Sequence, residues 1–208
     1  MKRTIPIPVT IARCEHGRIG ATSAALLAML LTASAQSAAP QRWPAEAVIR
    51  FNGTSTLHDF GGTIAAQPFV LTVVSNTWSA TADVLAAQMN TASEGRDRNM
   101  HKMLDTNSHP RLRGSVSQAP VPLGGPTNAI LRFHIRNQAH DLPVRVENWT
   151  ETAERIAFHA AWEVSLKQYG LKPPSVLGVI RVGDKVQVEA DVVADKTKPA
   201  SPATDSQP

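Results

Sequence analysis

Apolar and polar positions alternate with a period of two along most of this chain. From Ile49, the residues Phe51, Gly53, Ser55 and Leu57 share one face, and Arg50, Asn52, Thr54, Thr56 and His58 share the other. Trp78, Ala80, Ala82 and Val84 alternate with Ser79, Thr81, Asp83 and Leu85. The same rule places Leu131, Phe133 and Ile135 against Arg132, His134 and Arg136, and Leu142, Val144 and Val146 against Pro143, Arg145 and Glu147. It returns in Ile156, Phe158, Ala160, Trp162 and Val164, and again in Val186, Val188, Ala190 and Val192. Repeated half-buried strands separated by turns such as "DFGG", "SNT", "LGGPTN" and "VGD" predict an antiparallel all-β domain, a sandwich or a barrel, over residues 43–194. One stretch departs from period two. In "NTASEGRDRNMHKMLD", Thr91 and Glu94 have capping-box spacing and Met100, Met103 and Leu104 follow at helical intervals, which predicts a short helix lying over one end of the sheet.

The two ends of the chain read differently from its middle. Lys2, Arg3, Arg13 and Arg18 precede the small-and-apolar run "IGATSAALLAMLLT" and then "ASAQ", the layout of a secretory signal peptide over residues 1–35. The apolar run is shorter than the roughly 20 residues a membrane-spanning helix needs. Cleavage after Ala35 would lower the formal charge from +4 to +1, because four basic residues and one acidic residue, Glu15, leave together. The basic balance therefore belongs to the leader and does not support nucleic-acid binding. The single cysteine, Cys14, leaves as well, so the mature chain would enter the periplasm with neither thiol nor disulfide. Residues 195–208 are nearly devoid of apolar side chains and predict a disordered tail.

Three residues raise the question of catalysis. Ser55, His58 and Asp59 are the residue types of an acyl-transfer site, but a regular strand would point Ser55 to the apolar face and His58 to the polar one. Side chains on opposite faces cannot share a proton, so a turn-capping role is the expectation, and a hydrolase built on Ser55, His58 or Asp59 is kept as the alternative. Beyond residue 35 the six histidines are His58, His101, His109, His134, His140 and His159, and no pair has the helical spacing zinc enzymes use. His134 and His159 fall on outward phases of their strands. Phosphate-cradling and dinucleotide motifs are absent from the sequence. The segment around Lys172, Pro173 and Pro174 must run extended and is flanked by apolar side chains, so it either plugs one end of a barrel or simply connects two strands.

Taken in order, "FNGTSTLHDFGG", "SATADV", "EGRDRNMHKMLDTNSHPRLRGSV", "LRFHI", "HDLPVRV" and "SLKQYGLKPPSVLGVIRVGDKVQVEADV" resemble the YceI-like, polyisoprenoid-binding proteins of bacteria. The resemblance rests on Ser55, Thr56, His58 and Phe60, on Arg96 and Met100, on Pro110 and Leu112, and on Asp184, Val186 and Val188, and it runs from about Phe51 to Val193. It implies an extended antiparallel barrel of lipocalin-like shape, about eight strands and one short helix, secreted to the periplasm, with a lumen for an isoprenoid chain. Where many relatives have a turn glycine after the strand matching "LRFHI", this chain has Asn137 and Gln138, and Asn tolerates the positive φ such a turn needs.

On that reading the inward phases supply the site. Phe51, Trp78, Phe133, Phe158 and Trp162 would wall the lumen, Ala80 and Ala82 would leave room in it, and Met100, Met103 and Leu104 would cover it from the helix. The expected partner is an apolar lipid held without catalysis, metal or resident cofactor, an isoprenoid or quinone being the bound ligand. Transient contact with a membrane and formation of a homodimer are compatible with this role. A third reading is an envelope-stress or adhesion module whose core is solid and whose loops, such as "LGGPTN", bind a protein.

Overall fold

The computed structural model describes residues 39–173, 175–176 and 180–199. The signal peptide expected over residues 1–35, residues 200–208, and most of the Pro-Pro segment's apolar flank lie outside the described residues. The strands are β1 Gln41–Ser55, β2 Phe60–Ala65, β3 Phe69–Val74, β4 Thr77–Leu85, β5 Arg111–Pro120, β6 Thr127–Ile135, β7 Gln138–Glu151, β8 Arg155–Ser165, β9 Ser175–Val176 and β10 Ile180–Asp195, with helix α1 Glu94–Leu104 between β4 and β5. Strand β10 continues through Asp195, and beyond it the Lys196 N–H donates to Glu154 O while Lys196 Nζ pairs with Glu151, so the barrel end holds the first residues of the expected tail.

The sheet closes on itself. Antiparallel neighbours follow from β3 through β4, β5, β6, β7 and β8 to β10, and β10 pairs in turn with β1 from Ala45↔Ala194 to Gly53↔Val186. On its other edge β1 pairs first with β3 and then with β2. Between Ala45↔Phe69 and Val48↔Ala65 the partner gains one residue over β1, so β2 and β3 are two halves of one strand position broken by a bulge. The barrel thus has eight positions, the number whose interior is just wide enough for side chains or one small guest.

At the β2 end the wall is not made by strands alone. Past Leu71↔Ala80, β4 keeps its ladder to β5 and one backbone bond to the β2–β3 connection (Gln67 N–H to Asp83 O, 2.8 Å), and the free edge of β2 is met by Asn90, which exchanges backbone hydrogen bonds with Thr63. The chain then enters α1, which spans this end. The expected capping box does not form. Ser93 is the N-cap and makes no side-chain cap bond, while Asp97 accepts from the N–H and the hydroxyl of Thr91 at 2.9 and 2.6 Å. Arg96 donates to Thr91 O at 2.9 Å. A carboxylate one turn further in reaches the incoming chain, because Ala92 in the left-handed region (φ 56°) folds Thr91 back over the helix.

Two further local expectations are corrected. Strand β1 ends at Ser55, so Leu57 lies in the following turn, 64% exposed instead of facing inward. In the β6–β7 turn it is Arg136 that takes positive φ (55°), and Asn137 does not.

The end that carries α1 is tied by Asp184. Its carboxylate accepts from Ser165 Oγ and from the Lys167 N–H, both at 2.8 Å, and anchors a single 3-10 turn, Lys167–Tyr169. Tyr169 is 2% exposed, donates its hydroxyl to Phe133 O at 3.1 Å and meets the Phe133 and His140 rings edge-on. Burial, reinforced by the negative charge of Asp141, pushes the phenol up to about 12.

Tyr169 is the only tyrosine in the chain, so its ionisation can be read directly. Its raised value means that this contribution to stability is complete below the ordinary phenol value of about 10 and is lost as pH rises towards 12. We expect phenolate absorbance of the folded protein to stay low until about pH 12, and the urea midpoint between pH 10 and 12 to fall more steeply for the native chain than for Tyr169→Phe. A pair of glycines gives opposite signs. A Cβ on Gly62 would collide with the Phe51 ring and lie 2.6 Å from the backbone oxygen of Asn90, whereas Gly95 in α1 has open space around it. Urea unfolding should show Gly62→Ala destabilised by about 1–3 kcal/mol and Gly95→Ala stabilised by up to about 1 kcal/mol.

Candidate functional site

Inside the barrel lies a cavity of about 450 Å³. That is within the roughly 300–1,000 Å³ of small-molecule pockets. Its wall follows from the pleat, since every strand position contributes its inward phase. Ile49 and Phe51 come from β1, Ala80, Ala82 and Val84 from β4, Leu131 and Phe133 from β6, Phe158, Ala160 and Trp162 from β8, and Val188 and Ala190 from β10. All ten side chains expected at the lumen, Phe51, Trp78, Ala80, Ala82, Met100, Met103, Leu104, Phe133, Phe158 and Trp162, line this one space.

The space persists because small residues occur where the rings do not. Ala160 lies between Val146 and Ala190 on the neighbouring strands, and Gly114 is flanked by Ala82 and Phe133. The rings gather in two groups. Phe158 sits between Trp78 and Trp149 at centroid distances of 5.2 and 5.0 Å, at the end remote from α1. Phe133 meets Trp162 edge-on at 6.3 Å, nearer the helix. The gathered rings pack against one another and leave the alanine-lined level between strands open.

Polarity is confined to one end. The polar lining residues are Ser55, His58, Thr91, Arg96 and Asn99, all from the end of β1, the β1–β2 turn, or α1 and the segment leading into it. They form the rim. His58 is exposed yet lines the mouth, which corrects its expected place on the outer face of β1. The strand has already ended at Ser55, so the alternation no longer applies three residues later.

Ser55 and His58 therefore sit on the same side after all, but the bonds they make are those of a turn. Ser55 Oγ donates to His58 O at 2.6 Å and accepts from the His58 N–H at 3.3 Å. The hydroxyl is engaged with backbone groups at both of its functions, and neither bond involves the imidazole. Among the described residues, no group of three or more His, Cys, Asp or Glu side chains is placed to hold a metal ion, and no helix is long and apolar enough to cross a membrane.

The charges that the alternation sends outward pair with one another on the barrel's outer surface. Asp83 accepts from Arg113 at 2.8 Å, and that hydrogen bond holds its carboxyl below the usual range against the opposing effect of burial. Asp191 accepts from His159 Nδ1 at 2.8 Å and from Arg50 at 2.6 Å, and both bonds lower its pKa. His134 and His159 do point outward from β6 and β8, two strands that are not neighbours in the sheet.

Several lining residues escaped the sequence reading. Leu112, Gly114 and Val116 of β5 alternate with Arg111, Arg113 and Ser115, so the period-two signal was there to be used. Met89 and Thr91 belong to the irregular segment before α1 and carry no such signal.

Comparison with solved structures finds the same architecture elsewhere. Burkholderia cenocepacia BcnA is similar at a TM-score of 0.60 and 13% identity, over 71% of this chain and 96% of that one. A polyisoprenoid binding domain from Saccharophagus degradans is similar at a TM-score of 0.54 and 12% identity, over 74% of this chain and 99% of that one. A comparison with curated proteins finds no match. The YceI-like domain family matches this sequence over residues 38–194, the whole closed barrel but its last residue, and the chain belongs to that family.

Proposed function

We propose that this protein is a periplasmic carrier that holds a long apolar lipid, an isoprenoid chain, in the barrel lumen and performs no chemistry on it. The observation that carries the reading is a cavity of about 450 Å³ whose interior is apolar and whose few polar residues stand at one rim. Hydrocarbon burial contributes about 0.8 kcal/mol per CH₂, so one five-carbon isoprene unit contributes on the order of 4 kcal/mol. Three units then exceed the roughly 8 kcal/mol of micromolar binding, with a margin for the freedom the ligand loses. No charged anchor is needed for affinity. The similarity to a polyisoprenoid binding domain supports the same ligand class, and the composition of the leader supports export. An interior with this much room counts against a module with a solid core, and the engagement of Ser55 with the turn backbone counts against a hydrolase.

Protein purified from its native envelope and extracted with organic solvent should yield an isoprenoid lipid by mass spectrometry. Recovering no lipid would overturn the proposal. Replacing a small lumen residue by a large one should block the same lipid while keeping the barrel. Ala160→Trp and Ala82→Trp are each expected to weaken binding at least about tenfold, equivalent to about 1.4 kcal/mol, with the strand signal in circular dichroism unchanged.

A further inference from the structure

The ion pairs of the outer wall leave some charges over, and the two ends of the barrel do not share them equally. At the α1 end, Arg98 and Lys102 of the helix, Arg136 of the β6–β7 turn and Lys172 beyond the Lys167–Tyr169 turn are all exposed. Among the described residues none of these four makes a salt bridge. The carboxylates there are mostly occupied. Asp97 is held by Thr91, Asp105 by Ser108 and His109, and Asp184 by Ser165 and the Lys167 N–H. Asp59 and Glu94 are the exposed carboxylates left over. At the other end Arg42 and Arg155 are exposed and unbridged as well, but Glu46 and Glu154 match them. Uncompensated positive charge therefore collects around the mouth. Exposed leucines do not separate the ends in this way, since Leu57 stands at the mouth and Leu123 in the β5–β6 loop at the other end.

The placement of these cations is directional. Arg98 and Lys102 lie one turn apart on the face of α1 opposite Met100, Met103 and Leu104, so they point away from the lumen those three line. On the adjoining wall Arg113 and His134 are direct cross-strand partners, and one step towards the mouth Arg111 and Arg136 border the same shallow depression. Like charges facing one another across a sheet are unfavourable. Asp83 offsets Arg113 and Arg111, while Arg136 meets no carboxylate. Guanidinium and ammonium groups held in this way are complementary to phosphate oxygens. Cations on three separate elements around an opening suit a plane of anionic groups better than a single ion, and the guest proposed for this lumen dissolves in a bilayer and not in water.

We infer that the α1 end of the barrel docks on a bilayer containing anionic phospholipid, with Arg98, Lys102, Arg136 and Lys172 against the head-group phosphates and the lumen mouth towards the membrane. This inference rests on the carrier reading above and adds to it the surface from which the guest is taken.

The test is co-flotation of the protein, purified from its native envelope, with vesicles of phosphatidylcholine alone or with about 30% phosphatidylglycerol. Binding to the anionic vesicles should be about tenfold or more tighter, and should fade as salt rises towards about 0.5 M. Arg98→Gln combined with Lys102→Gln should weaken it at least about tenfold, since each cation near an anionic surface contributes about fivefold. Arg42→Gln combined with Arg155→Gln removes the same charge from the other end and should change binding less than about twofold. Orientation is read with a polarity-sensitive dye on Leu57→Cys or Leu123→Cys, each combined with Cys14→Ser so that the dye has one thiol. The emission should shift to the blue on anionic vesicles at position 57 and stay in place at position 123. Equal binding to both vesicles, no binding to either, equal loss from the two charge-removed pairs, or a shift at position 123 would each overturn the inference. Extraction of an isoprenoid from the same preparation would then leave the carrier reading standing, and its absence would remove both.

Discussion

The pairing of β1 with β10 is the constraint on which the rest of this molecule depends. Until those strands meet, the alternating pattern only sorts side chains to two faces of an open sheet. Once they meet, in a register running from Ala45↔Ala194 to Gly53↔Val186, one of those faces becomes an enclosed interior and the other becomes the whole outer surface. Register has to be firm for this to work, because a slip of one residue would exchange the two faces. The outer surface contributes to that firmness. Arg50 of β1 pairs with Asp191 of β10, and Asp191 in turn pairs with His159 of β8, so three adjacent strands are stitched by side chains that only the correct register brings together. Each exposed pair contributes little by itself, but a shifted register would set these charges against apolar neighbours.

Closure alone does not make a cavity. An eight-position barrel can fill itself with side chains, and the choice between a solid core and a hollow one is made residue by residue. Here β10 carries Val188, Ala190 and Val192 inward where larger side chains would be tolerated by the strand itself, and Ala160 and Gly114 stand on the walls nearby. The rings that the chain does place inside are spent against one another, Trp78 and Trp149 on Phe158 and Trp162 on Phe133. That arrangement forgoes contacts that a filled core would have made, and the dispersion it gives up is available again only to a guest of apolar surface.

The pattern of the strands was legible in the sequence because a half-buried strand in a closed barrel must alternate. Trp78, Ala80, Ala82, Phe133, Phe158 and Trp162 could be placed on one side from spacing alone, and they do line one space. What could not be read was decided at strand ends and in irregular connections, where period two stops. Leu57 and His58 are the clearest cases, since both depended on a strand that ends at Ser55. The helix was legible from Met100, Met103 and Leu104, but its cap was not. A carboxylate at Asp97 reaches Thr91 only because Ala92 reverses the chain, and no spacing rule anticipates a reversal at alanine. The choice of Arg136 over Asn137 for the positive φ of the β6–β7 turn is of the same kind, a local preference overruled by the strands it connects.

The two ends of the barrel then acquire different roles from the same bookkeeping of polar groups. At the α1 end, Asp97 and Arg96 bond Thr91 while Ser55 bonds the backbone of its own turn, so these rim groups keep their bonds where the rim faces water. At the other end Trp78 and Trp149 are shut in with donors they cannot use. A chain that needed only a dry tube could have used Phe at both positions and avoided that cost altogether.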